Sequence, residues 1–284
     1  MSILYRFSRR SFLAATAAAP FAASFQNLMA ADKHIPVGLE LYSVRDDLTK
    51  DEAGTLRDVA KLGYQCVEFY APYYKWTPDH AKDVRKQLDD LGLRCYSTHN
   101  DLKSFSPDGI ARAIQLNNIL GAHYVVMAYP GKMMDIDDWK KVADTLNKAN
   151  ESMEAEGLNA GYHNHDLEWR PMAGQIPLEV IAKNTDQSVM LQLDVGTCLE
   201  TGNDPVAWIN KNPGRIRSLH LKDWSPEKGY KVLFGEGIAN WPKIFAAAED
   251  AGGVQYYLIE QEGSAYPEIE TAKRCLANFR KMQA

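Results

Sequence analysis

Four stretches decide the fold: Gly161-Tyr162-His163-Asn164-His165, Leu191-Gln192-Leu193-Asp194, Leu219-His220-Leu221-Lys222-Asp223 and Leu258-Ile259-Glu260. Each is an apolar, strand-like run that ends in an imidazole or a carboxylate. They recur at about the spacing of one strand–helix unit in an eight-fold barrel of roughly 250 residues. A parallel barrel gathers the carboxyl ends of its strands into one mouth, so groups far apart in sequence meet there without any local motif. The pattern reads as an enzyme.

Working outward, one unit repeats: an amphipathic helix, a glycine, then an apolar strand. Leu56 to Leu62, Gly63 and Cys66-Val67-Glu68-Phe69 form one example, and Val84 to Leu91, Gly92 and Cys95 to His99 the next. Ile114 to Leu120 with Gly121 and Val125-Val126-Met127, Leu146 to Glu156 with Gly157 and Ala160 to His165, and Ile244 to Ala251 with Gly252 or Gly253 and Tyr256 to Ile259 continue it. Glycine just past a helix takes the left-handed conformation that turns the chain back to the sheet. An opening strand Val37–Tyr42, with Met190 to Asp194 and Ile216 to Leu221, brings the count to eight. The runs lack strict polar alternation, as in strands covered on both sides. A doubly wound sheet would carry a Gly-x-Gly-x-x-Gly loop after its first strand, and none is there. The expected fold is α/β, a single (β/α)8 TIM barrel over residues 35–284.

The chain has 284 residues, 45% of them hydrophobic, and a formal net charge of −5. No Pro-rich, Gly/Ser-rich or low-complexity tract after Ile35 marks a second domain. Residues 1–30 hold Arg6, Arg9 and Arg10 and no acid; removing them leaves about −8. Lysines and arginines are scattered among acids along helical segments, so no basic stripe offers itself to nucleic acid. Ser8-Arg9-Arg10-Ser11-Phe12-Leu13 before an Ala-rich apolar stretch resembles a twin-arginine export signal, which implies a bacterial protein delivered to the periplasm. The apolar run falls short of the roughly 20 residues a membrane helix needs, so no stable membrane anchor is expected after signal removal. The four cysteines, Cys66, Cys95, Cys198 and Cys275, show no Cys-x-x-Cys spacing and are expected to be free.

Strand side chains alternate, so His163 and His165 share one face, as do Gln192 and Asp194, His220 and Lys222, and Glu260 and Glu262. One imidazole from the fifth strand with Asp194, His220 and Glu260 makes an N2O2 set for a divalent metal. Any one of these groups alone reads more simply as a hydrogen-bonded rim residue or a helix cap. Their joint occurrence on consecutive strands carries the metal reading.

At these residues the chain resembles the xylose isomerase-like sugar phosphate isomerase/epimerase family of metal-dependent TIM barrels, from about Ile35 onward. The marks are Leu41-Tyr42-Ser43-Val44-Arg45-Asp46, Glu68 and His99, then Tyr162-His163-Asn164-His165 and Leu193-Asp194-Val195-Gly196, then His220-Leu221-Lys222-Asp223, Gly235-Glu236-Gly237 and Ile259-Glu260. The resemblance implies one divalent ion (manganese, cobalt, zinc or magnesium) on His163, Asp194, His220 and Glu260. It departs at the fifth strand, where His163 stands in place of the glutamate many epimerases carry, and that puts two-base proton transfer in doubt. What it implies is deprotonation beside the carbonyl of a keto-sugar, through an enediolate. Glu260 is then the base, with Glu68, His165, Glu168 or Lys222 as second partner. His99, His165, Arg45 and Trp169 are expected to bind substrate, with Trp224 as a further apolar wall.

The leading expectation is therefore a metal-dependent sugar isomerase or epimerase acting on a small carbohydrate, with a homodimer as a compatible assembly. A keto-glycoside lyase or dehydratase on the same scaffold, and an exported carbohydrate-binding barrel without catalysis, are the alternatives. A nuclease on this barrel would need a basic groove. Export favours a free sugar, oxidised glycoside or cyclitol over a sugar phosphate.

Overall fold

The computed structural model describes residues 35–283, so the twin-arginine segment lies outside the described residues. Eight parallel strands close into a barrel in sequence order. They are β1 (Val37–Glu40), β2 (Cys66–Phe69), β3 (Arg94–Asp101), β4 (Tyr124–Tyr129), β5 (Asn159–His163), β6 (Met190–Asp194), β7 (Ser218–Leu221) and β8 (Tyr256–Ile259), with helices between them. Closure is made by β1 against β8, where Gly38 lies opposite Leu258. On its other side Gly38 lies opposite Cys66. A Cβ there would overlap the Cys66 carbonyl and thiol, so only glycine lets these two strands meet.

The barrel interior changes character along its axis. Cys66, Tyr124, Val126, Met190, Tyr256 and Leu258 pack as a buried apolar cluster with Tyr96 against it. Two residues further along the same strand faces come Glu68, Gln192 and Glu260, and Asp194 follows Gln192 on β6. An oily floor thus carries a polar ceiling at the carboxyl ends of the strands.

The expected punctuation is present. Gly63, Gly92, Gly121 and Gly253 close helices in the left-handed region. Thr77 and Asp204 cap helices that begin with proline: Thr77 Oγ1 accepts from His80 N at 3.2 Å and Asp204 Oδ1 from Val206 N at 2.9 Å. All four cysteines are buried and free. No helix among the described residues is long and apolar enough to cross a membrane. β1 is shorter than the sequence suggested. Glu40 accepts from Tyr42 N at 2.6 Å and turns the chain into a short 3-10 helix, Leu41–Val44.

Candidate metal and acid–base centre

His163 ends β5, Asp194 ends β6, His220 lies in β7 and Glu260 follows β8, so the four metal-type groups of the sequence converge. Each is less than 10% exposed. Their ligand atoms all lie within 4.8 Å of one another.

Glu68, at the end of β2, ties this quartet to the opposite wall. Its Oε2 accepts from His220 Nε2 at 2.8 Å and from His99 Nε2 at 3.0 Å. Its Oε1 accepts from Gln192 Nε2 at 3.0 Å and from Ser97 Oγ. Burial works to raise the Glu68 pKa, but His99 and His220 outweigh it and hold the carboxylate well below its usual range. His220 donates from its other nitrogen to Glu260 Oε2 at 2.7 Å. Burial disfavours a charged His220, yet the carboxylates of Glu68 and Glu260 push its pKa up to about 10. Glu260 is depressed in turn: burial raises it, and Lys222 and His220 carry it well below the ordinary value.

Gln192 decides which nitrogen of His163 is bare. Its amide N–H donates to Glu68, so its Oε1 faces the imidazoles and accepts from His163 Nδ1 at 3.1 Å and His99 Nε2 at 2.8 Å. The His163 proton is then on Nδ1, and Nε2 presents a lone pair 3.9 Å from Asp194 Oδ2. Burial, with His220 and His99 nearby, keeps His163 neutral.

Asp194 Oδ1 caps the following helix by accepting from Thr197 N at 2.9 Å. Its Oδ2 is buried without a hydrogen-bond partner. Buried carboxylate oxygens are rarely left unpaired unless a ligand completes them. The bare Nε2, the unpaired Oδ2 and the flanking His220 and Glu260 fit a divalent cation, whose arrival would displace the His220 proton. Two imidazoles and two carboxylates suit zinc, manganese, cobalt or iron.

Lys222 stands over the quartet with a side chain 3% exposed. Its Nζ is 3.5 Å from Asp194 Oδ2 and 3.7 Å from Glu260 Oε1, pairs with Glu262, and sits 4.6 Å from the Tyr230 ring centre. Burial opposes its charge, but Glu260, Asp194 and Glu262 raise its pKa well above the usual lysine value. Tyr230 comes from the segment between β7 and the helix Trp241–Ala247. Asp223 folds that segment back. Its Oδ2 accepts from Gly235 N, Gly237 N and Trp241 Nε1 at 3.0, 3.1 and 3.0 Å, and its Oδ1 from Trp224 N at 2.9 Å and Ala239 N at 3.3 Å. A Cβ on Gly237 would overlap Asp223 Oδ1 and the Trp224 carbonyl.

The residues expected at the substrate divide. The His99 ring stacks on His220 at 5.0 Å with 12% of its side chain exposed, and the His165 ring meets that of His163 at 4.9 Å. Both border the quartet. Arg45 instead braces loops, donating to the carbonyls of Tyr42 and Glu262 at 2.9 and 3.2 Å. Trp169 is 5% exposed and packs edge-on against Trp208, with ring centres 5.1 Å apart. It is a packing residue in this structure, not a wall of the mouth. Glu168 is locked between the Tyr162 hydroxyl at 2.6 Å and His165 N at 3.0 Å. Sequence reasoning missed Glu40, the orienting role of Gln192, and Glu262 as the partner of Lys222. Glu40 occupies a strand end just as Glu68 does, and that signal was available.

A family model described as the xylose isomerase-like TIM barrel matches residues 56–282. An inosose dehydratase of Clostridium beijerinckii is 35% identical over 144 residues, 44% of this chain and 48% of that protein. The chain thus aligns with about half the length of such curated relatives. A crystal structure of a sugar phosphate isomerase/epimerase from Parabacteroides distasonis superposes with a TM-score of 0.73 at 28% identity, covering 87% of this chain and 94% of that one. A zinc-bound IOLI protein shares the fold with a TM-score of 0.66 at 15% identity, over 86% of this chain and 97% of its own.

Proposed function

The chain belongs to the xylose isomerase-like TIM-barrel family, and on that premise we propose a metal-dependent enzyme that deprotonates the carbon beside the ketone of a keto-sugar or keto-cyclitol and expels a β-oxygen. The observation that carries this reading is Lys222 Nζ, 3.7 Å from Glu260 Oε1 at the edge of the quartet. It sets a proton donor beside a proton acceptor.

A divalent ion held by His163, Asp194, His220 and Glu260 would supply the Lewis acidity that makes the C–H beside a ketone acidic. Glu260, kept ionised by Lys222 and by the cation it would help to hold, takes that proton, and the C–H electron pair moves into the enediolate. As the carbonyl re-forms, the enediolate electron pair makes a carbon–carbon double bond between the α- and β-carbons, the C–O bond at the β-carbon breaks and its electrons leave with oxygen. The Lys222 ammonium protonates that oxygen, so water or an alcohol departs and an unsaturated ketone remains. Glu68 is a poor second base, because both its oxygens already accept hydrogen bonds. The fifth-strand carboxylate is replaced by His163. These two facts favour elimination over two-base epimerisation, and the inosose dehydratase relatives point the same way.

Isomerisation or epimerisation is the second reading, favoured by the Parabacteroides neighbour. His165, bordering His163, would then return the proton. Arg9-Arg10 before the apolar run supports action beyond the inner membrane, on an oxidised glycoside or cyclitol.

The test is incubation of metal-loaded protein in deuterium oxide with an inosose and a 3-keto-glucoside. Deuterium uptake with formation of an unsaturated ketone, both abolished in Glu260→Gln, is expected. Uptake with an epimer and no elimination would favour the second reading. No uptake from any keto-carbohydrate, with metal bound, would sink both and leave a carbohydrate-binding barrel.

A further inference from the structure

The mouth carries a second group of ligand-type side chains, drawn from β1, β2 and β3. Glu40 ends β1, Glu68 lies in β2 and His99 in β3, and one ligand atom of each lies within 4.8 Å of the other two. Glu40 is 1% exposed and Glu68 fully buried. Glu40 Oε2 accepts from Tyr42 N, but its Oε1 is buried with no hydrogen-bond partner. The side chain nearest a shared boundary is Glu68, whose Oε2 reaches His220 of the quartet at 2.8 Å.

Two facts point to a ligand here. The Glu40 oxygen without a hydrogen-bond partner is enclosed beside a second carboxylate, an arrangement that a proton or a cation must neutralise. The only cationic groups among these contacts are imidazoles, and His220 is already divided between Glu68 and Glu260. We propose that Glu40, Glu68 and His99 form a second divalent-cation site, in which the ion would take the place of the His99 Nε2 proton that Glu68 now accepts, distinct from the His163–Asp194–His220–Glu260 site and separated from it by the Glu68–His220 contact. Two carboxylates and one imidazole match manganese, iron, cobalt or zinc, with remaining positions open to water or substrate oxygen. Two cations in one buried mouth would hold two oxygens of one polyhydroxylated substrate. The site itself does not depend on which reaction the barrel performs.

The test is stoichiometry, read without turnover. Chelator-stripped protein is titrated with manganese(II), and free ion is followed by its six-line paramagnetic resonance signal. Two equivalents are expected in the wild type, with a spin-coupled signal from neighbouring ions. Glu40→Gln is expected to retain one equivalent and lose the coupling; His99→Gln is expected to do the same, and serves if the first variant fails to fold. Asp194→Asn should also retain one, from the β1–β3 side. A single equivalent in the wild type, kept in Glu40→Gln and lost in Asp194→Asn, overturns the second site while leaving the proposed function intact. Absence of any binding, for manganese, zinc and cobalt alike, overturns both.

Discussion

Lys222 holds its ammonium 3.5 Å from Asp194 Oδ2, the one oxygen of that carboxylate with no hydrogen-bond partner. The lysine would therefore share a carboxylate with a bound cation and oppose it electrostatically. Lys222→Met is expected to tighten divalent-metal binding by about tenfold or more, since like charges a few ångströms apart repel by several kcal/mol at intermediate dielectric. Elimination should fall by roughly 100-fold or more, while deuterium uptake persists. Calorimetric metal titration and enone formation check the two halves. If both affinity and uptake drop together, the lysine is only a support for the metal site.

Gln192 should matter to metal affinity although it offers no ligand of its own. Gln192→Leu removes the acceptor that holds the His163 proton on Nδ1 and the donor that orients Glu68. Affinity for zinc should weaken by roughly 10- to 100-fold, as for other groups that orient metal-binding histidines. An unchanged affinity in competition with a fluorescent chelator would show that His163 keeps its tautomer without help.

Gly237→Ala forces a methyl group into Asp223 and the Trp224 carbonyl. The segment carrying Tyr230 should lift from Lys222, with turnover reduced about tenfold or more and the melting temperature shifted by only a few degrees, because the barrel strands are untouched. A larger thermal than catalytic effect would mean that the segment is part of the stability core.

His220 gives the metal-stripped protein a pH signature. Its folded pKa, pushed up to about 10 by Glu68 and Glu260 against the effect of burial, exceeds the unfolded value. The stabilisation is complete below about pH 6.5 and is lost as pH rises through the folded pKa. His163 has the opposite sign and has nearly finished contributing by about pH 7.5, whereas the buried thiols begin to matter above about pH 8.5. Between those limits His220 should lower the unfolding free energy by roughly 1 kcal/mol per pH unit, and the Glu40 carboxyl, raised by burial and by Glu260 and Glu68, acts in the same sense. Urea unfolding of wild type and His220→Gln checks it. Equal slopes in the two proteins would remove His220 as the cause.

The barrel and its quartet were legible because both depend on periodic signals. Glycine after many of the helices and an acid or imidazole at most strand ends survive as local patterns, and strand alternation carries His163, Asp194, His220 and Glu260 to one mouth. What stayed hidden depends on partners remote in sequence. Arg45 could not be seen as a brace, because the Glu262 carbonyl it binds lies 217 residues away. Trp169 looked like a wall because nothing in its own segment announces Trp208. Gln192 carries no charge, so its place between two imidazoles and a carboxylate had no compositional trace. Glu40 was read inside a strand running on to Tyr42, whereas its own carboxylate ends that strand.

His220 and Lys222 give the buried acids resident positive charge before any ion arrives. Metal uptake at this quartet would therefore be ion exchange, in which a divalent cation takes the place of the imidazole proton and shoulders the ammonium aside. Small metal domains fold around their ion because nothing else neutralises their ligands. Here the neutralising charges belong to the chain itself: the His220 imidazolium and the Lys222 ammonium already stand against Asp194, Glu68 and Glu260.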